Sequence, residues 1–345
     1  MKVVADADIP FIRGVLEPYC EVTYLKGSEI GCNDVRDADA LLVRTRTRCD
    51  RSLLAGSSVR LVATATAGCD HIDAAYCASA GIEVAAAPGS NARAVLQWYA
   101  AALAHLCEKF GIAPHATTIG VVGTGNVGSL VARYSAAWGF RVMCCDPPLE
   151  RSGALPPAGD RFFPLGEIAR TCDIVTFHTP LTLSGPDATH HMAGELFLGS
   201  LCRGALLINA SRGEVVDTEA LMQALETGQC SAAAIDTWEG EPSPDPRLIR
   251  EAALATPHIA GYSIQGKANA SAAAIRAVAR RFGLPLGEWY PEQVRRVEPR
   301  TIEWEEMKNS IRDHFDIEAE SAALKSRPEE FERLRSEYIY REEYF

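Results

Sequence analysis

Residues 118–146 read TIGVVGTGNVGSLVARYSAAWGFRVMCCD, and the rest of the chain is arranged around them. The β-branched start predicts a strand, the glycines predict a tight turn, and the remainder predicts a helix and a second short strand. Gly123, Gly125 and Gly128 have the spacing G-x-G-x-x-G. There the first glycine permits the turn, the second lets backbone N–H groups approach a pyrophosphate, and the third lets helix and strand pack closely. The stretch therefore predicts a dinucleotide site at the positive end of a helix.

Asp146 follows the second strand and indicates which dinucleotide is expected. At this distance from the glycines, a carboxylate accepts hydrogen bonds from the adenosine ribose. No arginine follows immediately to favour a 2′-phosphate, so we expect NAD rather than NADP. A glycine turn that serves packing alone is the alternative, but the strand, the helix and the acid all agree with nucleotide binding.

The composition is that of a soluble globular protein. The 345 residues are 47% hydrophobic and 23% charged, enough chain for two domains with separate cores. A net charge of −11 argues against nucleic acid or an anionic membrane surface as the main partner. The eleven cysteines form no C-x-x-C and the histidines lack metal-ligand spacing, so neither a disulfide framework nor a metal site is expected. Reduced thiols fit a cytoplasmic protein.

Short apolar segments alternate with helix-period segments in the first part of the chain and again after residue 118. This alternation indicates an α/β protein with parallel sheets. We expect two Rossmann-like or flavodoxin-like parallel-sheet domains with a cleft between them, plus a small C-terminal helical or α+β segment. The expected domains are a substrate-binding domain (1–92 plus 264–284), an NAD-binding Rossmann domain (93–263) and a C-terminal dimerisation segment (285–345).

Helices are also expected outside the sheet units. Ile9 to Leu16 has helical spacing, and Ala92–Phe110 predicts one long apolar helix that bridges the domains. The C-terminal residues have little core of their own, so their amphipathic helices are expected to pack on the body of the protein or on a second subunit. The apolar positions at helical spacing there are Trp304, Met307, Ile311, Phe315, Phe331, Leu334 and Tyr338.

Polar residues stand at the ends of two predicted strands in the first domain. Open α/β sheets bind ligands beyond the carboxyl ends of their strands. Arg44, Thr45 and Arg46 follow the strand ALLV. Thr66 and Gly68 follow RLVATA, where a hydroxyl and backbone N–H groups suit an anion. A solvated loop and an ordinary turn remain the alternatives for these two places.

Three ionisable residues lie at the ends of successive strands in the second domain: Arg212, Glu241 and His258. Removing hydride from a hydroxyl-bearing carbon requires a base for the O–H proton, and histidine suits this role. Glu241 is placed to orient the imidazole, and Arg212 is suited to grip a carboxylate. Taken singly, each has a structural alternative: Arg212 as a helix cap, Glu241 as part of a solvated loop, and His258 as a hydrogen-bonded structural histidine. Together, downstream of an NAD site, they indicate a catalytic set.

With these residues the sequence resembles the D-isomer-specific 2-hydroxyacid dehydrogenases over about residues 1–280. The motifs shared with the whole family are GTGNVG, NASRGEVVD and the ordered arginine, glutamate and histidine. Further motifs resemble one branch, which acts on a phosphorylated hydroxy acid in pyridoxal-phosphate synthesis. They are ATATAGCDHID, AAPGSNARAV, CDPP, DIVTFHTPL, WEGEP and TPHIAGYSIQGKA.

The resemblance implies specific site residues, carried over motif by motif. The implied catalytic residues are Arg212, Glu241 and His258, and the implied substrate contacts are Thr45, Thr66 and Tyr262. The C-terminal residues would correspond to a dimerisation region, so a homodimer is expected. The expected NAD contacts are Gly123, Gly125, Asn126, Val127, Gly128, Asp146, Thr179, Ala210, Ser211, Arg212, Asp236 and Gly261.

The reaction implied by the resemblance is oxidation of 4-phospho-D-erythronate to (R)-3-hydroxy-2-oxo-4-phosphooxybutanoate, with hydride passing to NAD. An acidic protein needs a local basic cluster to hold such an anion. The candidates for the phosphate are Arg44, Arg46, Arg93 and Lys267. Two alternatives stay open: a dehydrogenase for another D-2-hydroxy acid, such as 3-phosphoglycerate or an unphosphorylated acid, and a non-catalytic NAD-sensing scaffold.

Overall fold

The computed structural model describes all 345 residues, and the chain forms two compact units. Unit 1 comprises Met1–Asn91 and Ser263–Val297, and unit 2 comprises Ala92–Tyr262 and Glu298–Phe345. Residues 285–297 of the expected C-terminal segment thus belong to unit 1, and the remainder belongs to unit 2. None of the helices combines the length and apolar character needed to cross a membrane.

Strands and helices alternate along most of the chain. The strands are β1 Lys2–Asp6, β2 Glu21–Leu25, β3 Ala40–Val43, β4 Leu61–Thr64, β5 Glu83–Ala85, β6 Thr118–Val122, β7 Arg141–Cys145, β8 Ile174–Phe177, β9 Ala205–Asn209, β10 Cys230–Ile235 and β11 Leu254–Ala255. The α-helices are α1 Cys32–Val35, α2 Arg51–Leu54, α3 Ala74–Ser79, α4 Ala92–Phe110, α5 Asn126–Ala137, α6 Pro147–Arg151, α7 Leu165–Thr171, α8 Glu195–Gly199, α9 Thr218–Glu226, α10 Pro246–Glu251, α11 Ile264–Phe282, α12 Trp304–His314, α13 Ile317–Ser326 and α14 Phe331–Ser336.

Unit 1 contains a five-stranded parallel sheet in the order β2-β1-β3-β4-β5. This is the flavodoxin-like order, in which the winding reverses between β1 and β3. Successive strand residues face opposite layers, as the pleat requires. Val3 and Leu42 pack in the cluster that includes α11, whereas Val4 and Leu41 pack against residues of α1 and α2. Both faces of the sheet are therefore covered, as expected for a parallel sheet.

The helix expected at Ile9 to Leu16 is not formed, and this prediction is wrong. Residues 7–20 form turns, although Ile9, Ile12 and Leu16 are buried as their spacing suggested. Pro10 lacks an N–H, and Phe11 has a φ of +69°, which is outside the helical region. The apolar spacing was thus a signal of burial, and the local backbone excluded the helix.

Unit 2 contains a six-stranded parallel sheet in the order β11-β10-β9-β8-β6-β7. The winding reverses at β6, which pairs with β7 on one side and β8 on the other. The expected pair of parallel-sheet α/β domains is therefore confirmed. Ligands of such sheets bind beyond the carboxyl ends of the strands next to the reversal. The glycine turn follows β6 directly, at this position.

The C-terminal residues 298–345 contain the helices α12, α13 and α14 and pack on the rest of unit 2. Trp304, Met307 and Ile311 of α12 are buried in the same cluster as α4. The Trp304 ring lies 5.7 Å from that of Trp138 and 5.3 Å from that of Phe140. Complete burial of a side chain of this size stabilises a fold by about 1.5–3 kcal/mol. The body of unit 2 therefore supplies the core that these helices lack.

Candidate active site

The glycine turn after β6 has the geometry that the sequence pattern predicts. Gly123 has a φ of +83°, which favours glycine, and a Cβ there would lie 2.8 Å from the carbonyl carbon of His178. A Cβ on Gly128 would lie 1.8 Å from the carbonyl oxygen of Gly123. A Cβ on Gly125 would meet no atom within 4 Å, and no side chain caps α5 at its first turn. The N–H groups of that turn therefore face open space that suits a pyrophosphate.

Asp146 and Thr179 flank this turn. The Asp146 carboxylate accepts the backbone N–H of Thr124 at 2.7 Å and that of Leu149 at 3.1 Å, so it also braces the glycine turn. Oδ1 keeps an acceptor position for a ribose hydroxyl. The Thr179 hydroxyl is buried without a hydrogen-bond partner in the protein, which is costly unless a ligand provides one. Both observations fit a bound dinucleotide.

Asn209, at the end of β9, shapes the loop that carries Ala210, Ser211 and Arg212. Its Oδ1 accepts the Ser211 N–H at 3.1 Å and the Ser211 hydroxyl at 2.8 Å. Its Nδ2 donates to the carbonyl of Arg212 at 3.0 Å. Asn209 is not among the residues predicted from the sequence. A polar residue closing the apolar strand ALLIN was the available signal.

Asp236, an expected NAD contact, is fully buried beneath the loop that follows β11. Its Oδ1 accepts the Thr256 hydroxyl at 2.6 Å and the Ile259 N–H at 2.8 Å, and its Oδ2 accepts the Ala260 N–H at 2.9 Å. Burial raises the pKa of Asp236, while these donors and His258 act against that rise. Asp236 therefore fixes the loop on which His258 stands, a structural role that no motif indicated.

Thr256 connects this loop to two buried indoles. Trp98 of α4 donates its Nε1–H to the Thr256 hydroxyl at 2.9 Å. Trp238 donates its Nε1–H to the Thr256 carbonyl at 2.9 Å. These bonds satisfy polar atoms that would otherwise be unpaired in the core, and they hold β11 and the loop after β10 together.

Glu241 and His258 are in contact. Oε2 of Glu241 lies 2.7 Å from Nδ1 of His258, and Oε1 accepts the Trp238 N–H at 2.9 Å. Burial alone would raise the pKa of Glu241, but His258 and the donated hydrogen bonds lower it below its usual value. An ionised carboxylate only accepts hydrogen bonds, so the hydrogen of neutral His258 is assigned to Nδ1. Nε2 is then left as the basic nitrogen, which suits proton abstraction.

His258 itself stands in an unusual backbone conformation. Its φ is +56°, and its N–H donates to the carbonyl of Asp236 at 2.8 Å. A bulky residue is held at positive φ only where its surroundings impose it, and such positions concentrate at functional sites. Arg212 follows β9, which pairs with β10, so Arg212 and Glu241 follow adjacent parallel strands at the same edge of the sheet.

Tyr262 and Arg335 complete the surroundings of Glu241 in unit 2. Arg335 of α14 lies with Nη1 3.4 Å from Oε2 of Glu241, and its Nε donates to the Tyr262 hydroxyl at 3.3 Å. Tyr262 was an expected substrate contact, and Gly261 an expected NAD contact, whereas no motif indicated Arg335. The contact joins residues 94 positions apart, which sequence spacing alone does not reveal.

The remaining expected substrate residues lie in unit 1. Thr45 and Arg46 are exposed after β3, and Arg44 donates to the carbonyl of Asp8 at 2.9 Å. The Thr66 hydroxyl lies 2.6 Å from that of Thr64 and donates to the carbonyl of Gly68 at 2.7 Å. These hydroxyls are therefore held in a defined orientation.

Two further basic candidates lie apart from this loop. Lys267 is half-buried on α11 of unit 1. Arg93 lies in unit 2, where its Nε donates to the carbonyl of Phe345 at 3.2 Å and lies 3.8 Å from the Glu343 carboxylate. Arg93 therefore binds the C-terminal residues in this structure.

Comparison with known proteins places these features in a family. Residues 92–260 match the family model described as "D-isomer specific 2-hydroxyacid dehydrogenase, NAD binding domain". An erythronate-4-phosphate dehydrogenase of Bacteroides fragilis is 45% identical over 345 residues, covering 99% of this chain and 97% of that protein. One from Escherichia coli O81 (strain ED1a) is 39% identical, with coverage of 100% and 92%.

Solved structures agree with this placement. The D-lactate dehydrogenase of Aquifex aeolicus, complexed with NAD and lactic acid, superposes with a TM-score of 0.66 at 26% identity, covering 82% of this chain and 96% of that one. The predictions of the fold, of NAD as cofactor and of a dehydrogenase acting on a CH–OH group are confirmed. The chain belongs to the erythronate-4-phosphate dehydrogenases, within the family of NAD-dependent D-isomer-specific 2-hydroxyacid dehydrogenases.

Proposed function

We propose that this chain oxidises 4-phospho-D-erythronate to (R)-3-hydroxy-2-oxo-4-phosphooxybutanoate, with NAD as acceptor, in pyridoxal 5′-phosphate biosynthesis. The observation that carries the proposal is the Glu241–His258 pair, 2.7 Å apart, within a chain that is 45% identical to an erythronate-4-phosphate dehydrogenase over nearly its whole length. The pair supplies the base that the reaction needs, and the similarity supports the substrate.

The chemistry assigned to the protein is a proton transfer coupled to hydride loss. NAD, held at the glycine turn after β6, would supply the hydride acceptor for C2 of the substrate. Nε2 of His258 takes the hydroxyl proton, and the carbonyl forms as both leave. Glu241 stabilises the imidazolium that results, because its carboxylate already holds Nδ1. Arg212 is proposed to grip the substrate carboxylate with its planar guanidinium.

The phosphate is proposed to bind basic residues, because the substrate carries about three negative charges in all. The protein carries a net charge of −11, so this anion requires local positive charge. The candidates are Arg44, Arg46 and Lys267. Arg93 is a weaker candidate because it already binds C-terminal residues of unit 2. Thr45, Thr66 and Tyr262 are proposed as hydroxyl donors to the substrate.

The proposal extends to assembly and location. We propose a homodimer, which sedimentation measurements would test.

A cytoplasmic location fits the eleven cysteines, all of which are free thiols. Burial raises the pKa of Cys49, Cys145 and Cys230 to about 12, so these thiols are protonated and unreactive.

The experiment that tests the function uses the purified chain alone with NAD and 4-phospho-D-erythronate. NADH is expected to form without any added protein. This result would also dismiss the alternative of a non-catalytic NAD-sensing scaffold. Failure to form NADH from this acid, by a folded protein that binds NAD, would contradict the proposed function.

A further inference from the structure

Arg335 reaches the Glu241–His258 pair from the C-terminal part of the chain. Its Nη1 lies 3.4 Å from Oε2 of Glu241, and its Nε lies 3.3 Å from the Tyr262 hydroxyl. Only 22% of the Arg335 side chain and 18% of the Glu241 side chain are exposed. Solvent and salt therefore screen this pair far less than a surface ion pair.

The same carboxylate oxygen contacts an imidazole and a guanidinium. Oε2 of Glu241 contacts Nδ1 of His258 at 2.7 Å and Nη1 of Arg335 at 3.4 Å, while Oε1 is occupied by the Trp238 N–H. A guanidinium is always charged, whereas an imidazole gains and loses its proton during the reaction. Arg335 therefore offsets part of the negative charge that stabilises protonated His258.

A second arginine of the C-terminal residues, Arg341, is bonded to the same part of unit 2. Arg341, which is 8% exposed, donates from Nη1 to the carbonyls of Ile259 at 3.0 Å and Tyr262 at 3.1 Å. Its Nη2 donates to the carbonyl of Ala94 at 2.9 Å. Arg341 thus bonds the C-terminal residues to the segment that follows His258, where Arg335 also contacts Tyr262.

We propose that Arg335 is a positioning residue for the oxidation: it holds Glu241 and Tyr262 in place and balances part of the carboxylate charge that faces His258. The inference rests on the proposed function, because it concerns the base of that reaction. Arg335 acts through Glu241. It lies beyond residues 92–260, which carry the family's NAD-binding domain.

The other charged and titratable groups that face this arrangement come from several elements. Asp236 lies beneath the loop and interacts with His258, and Glu332 interacts with Arg335. Arg341 and Tyr338 are hydrogen-bonded to each other beside Tyr262. None of these residues is replaced in the variants of Arg335, so a change in pH dependence is attributed to the loss of the Arg335 charge.

The test compares Arg335→Met with Arg335→Lys. The measurement is the pH dependence of kcat/KM for oxidation of the hydroxy acid that the wild-type protein turns over best. In Arg335→Met, Glu241 stabilises protonated His258 without competition, so the acidic limb is expected to move to higher pH by roughly half a unit. Arg335→Lys keeps the charge and is expected to keep the wild-type limb. Arg335→Gln, which also lacks the charge, replaces Arg335→Met if that variant does not fold.

Two controls isolate the mechanism. Arg333→Met removes an arginine of the same helix whose side chain is 48% exposed and pairs with Glu330, so the limb is expected to stay in place. In a Glu241→Gln background, the carboxylate that Arg335 balances is gone. Arg335→Met is then expected to move the acidic limb of the kcat/KM profile much less than it does in the wild-type background.

The outcomes separate this inference from the proposed function. A wild-type protein that forms no NADH would defeat the proposed function itself. An active wild type with an unmoved acidic limb in Arg335→Met would overturn the positioning role. A higher KM with an unmoved limb would likewise overturn it and assign Arg335 to substrate binding.

Discussion

Nδ1 of His258 lies 2.7 Å from Oε2 of Glu241, while a second carboxylate, that of Asp236, accepts the N–H groups of the next two residues after His258. The two acids have different tasks. Glu241 orients the ring and stabilises its charged form, and Asp236 imposes the backbone conformation that carries it. The site therefore depends on two carboxylates: Glu241, whose side chain is 18% exposed, and Asp236, which is fully buried.

Replacing His258 tests whether it is the base. His258→Ala is expected to lower kcat by about 10²- to 10⁴-fold, because the hydroxyl proton then has no positioned acceptor. The affinity for NAD, measured by calorimetry, is expected to stay near the wild-type value, since the glycine turn is untouched. Turnover close to wild type would remove His258 from the mechanism.

The glycine turn offers a matched pair of variants. Gly125→Ala places a methyl where no atom lies within 4 Å, so the substitution causes no overpacking and should lower the free energy of unfolding by less than Gly128→Ala does. Its Kd for NAD should rise at least about tenfold, because the second glycine of the pattern admits the pyrophosphate.

Gly128→Ala is the counterpart, since its Cβ would lie 1.8 Å from the Gly123 carbonyl oxygen. This variant should lose about 1–3 kcal/mol of unfolding free energy through overpacking, together with NAD binding. Urea unfolding and calorimetry measure both quantities. Unchanged NAD affinity in Gly125→Ala would argue against a cofactor at this turn.

His178 predicts a dependence of stability on pH. Burial lowers its pKa from 6.5 to about 3 in the folded protein. Below pH 6.5 the unfolded chain gains a proton that the fold excludes, so stability is lost as the pH falls toward 3, by up to about 1.4 kcal/mol per pH unit. In His178→Gln, the unfolding free energy should therefore fall less steeply as the pH is lowered over this range, by up to about 1.4 kcal/mol per pH unit. His190→Gln, at an exposed position, serves as the control. Equal slopes of unfolding free energy against pH in wild type and both variants would contradict this role of His178.

Substitution tests whether Lys267 and Arg44 bind the phosphate of the substrate. Lys267→Ala and Arg44→Ala should each raise KM for the phosphorylated substrate by about tenfold, the loss of one charge-assisted contact. Turnover of unphosphorylated erythronate should not change, because it lacks the group concerned. Arg36→Ala, an exposed arginine on unit 1, is the matched control. An unaltered KM in both test variants would require another phosphate site.

The sequence predicted those parts of the molecule that local pattern determines. Gly123 and Gly128 define the turn because a side chain at either would meet neighbouring backbone atoms, and Gly125 leaves room for the dinucleotide. The parallel sheets followed from alternating segments, and strand ends indicated Glu241 and His258, which the structure brings into contact.

Other features depend on contacts that no local pattern encodes. Arg335 meets Glu241 across 94 positions, and Trp98 meets Thr256 across 158. Neither spacing nor periodicity distinguishes these residues from ordinary helix and strand positions. The turns at residues 7–20 show the opposite failure: helical spacing was present, but Pro10 and the positive φ of Phe11 prevent a helix.

The most direct test of the central claim is the ratio of kcat/KM values for 4-phospho-D-erythronate, 3-phospho-D-glycerate and unphosphorylated D-erythronate, measured in one assay with NAD. We expect kcat/KM for 4-phospho-D-erythronate to exceed the values for both other acids by about a hundredfold or more, since a site built for a polar group rejects analogues that lack or misplace it. Equal or higher kcat/KM for 3-phospho-D-glycerate or for erythronate would contradict it.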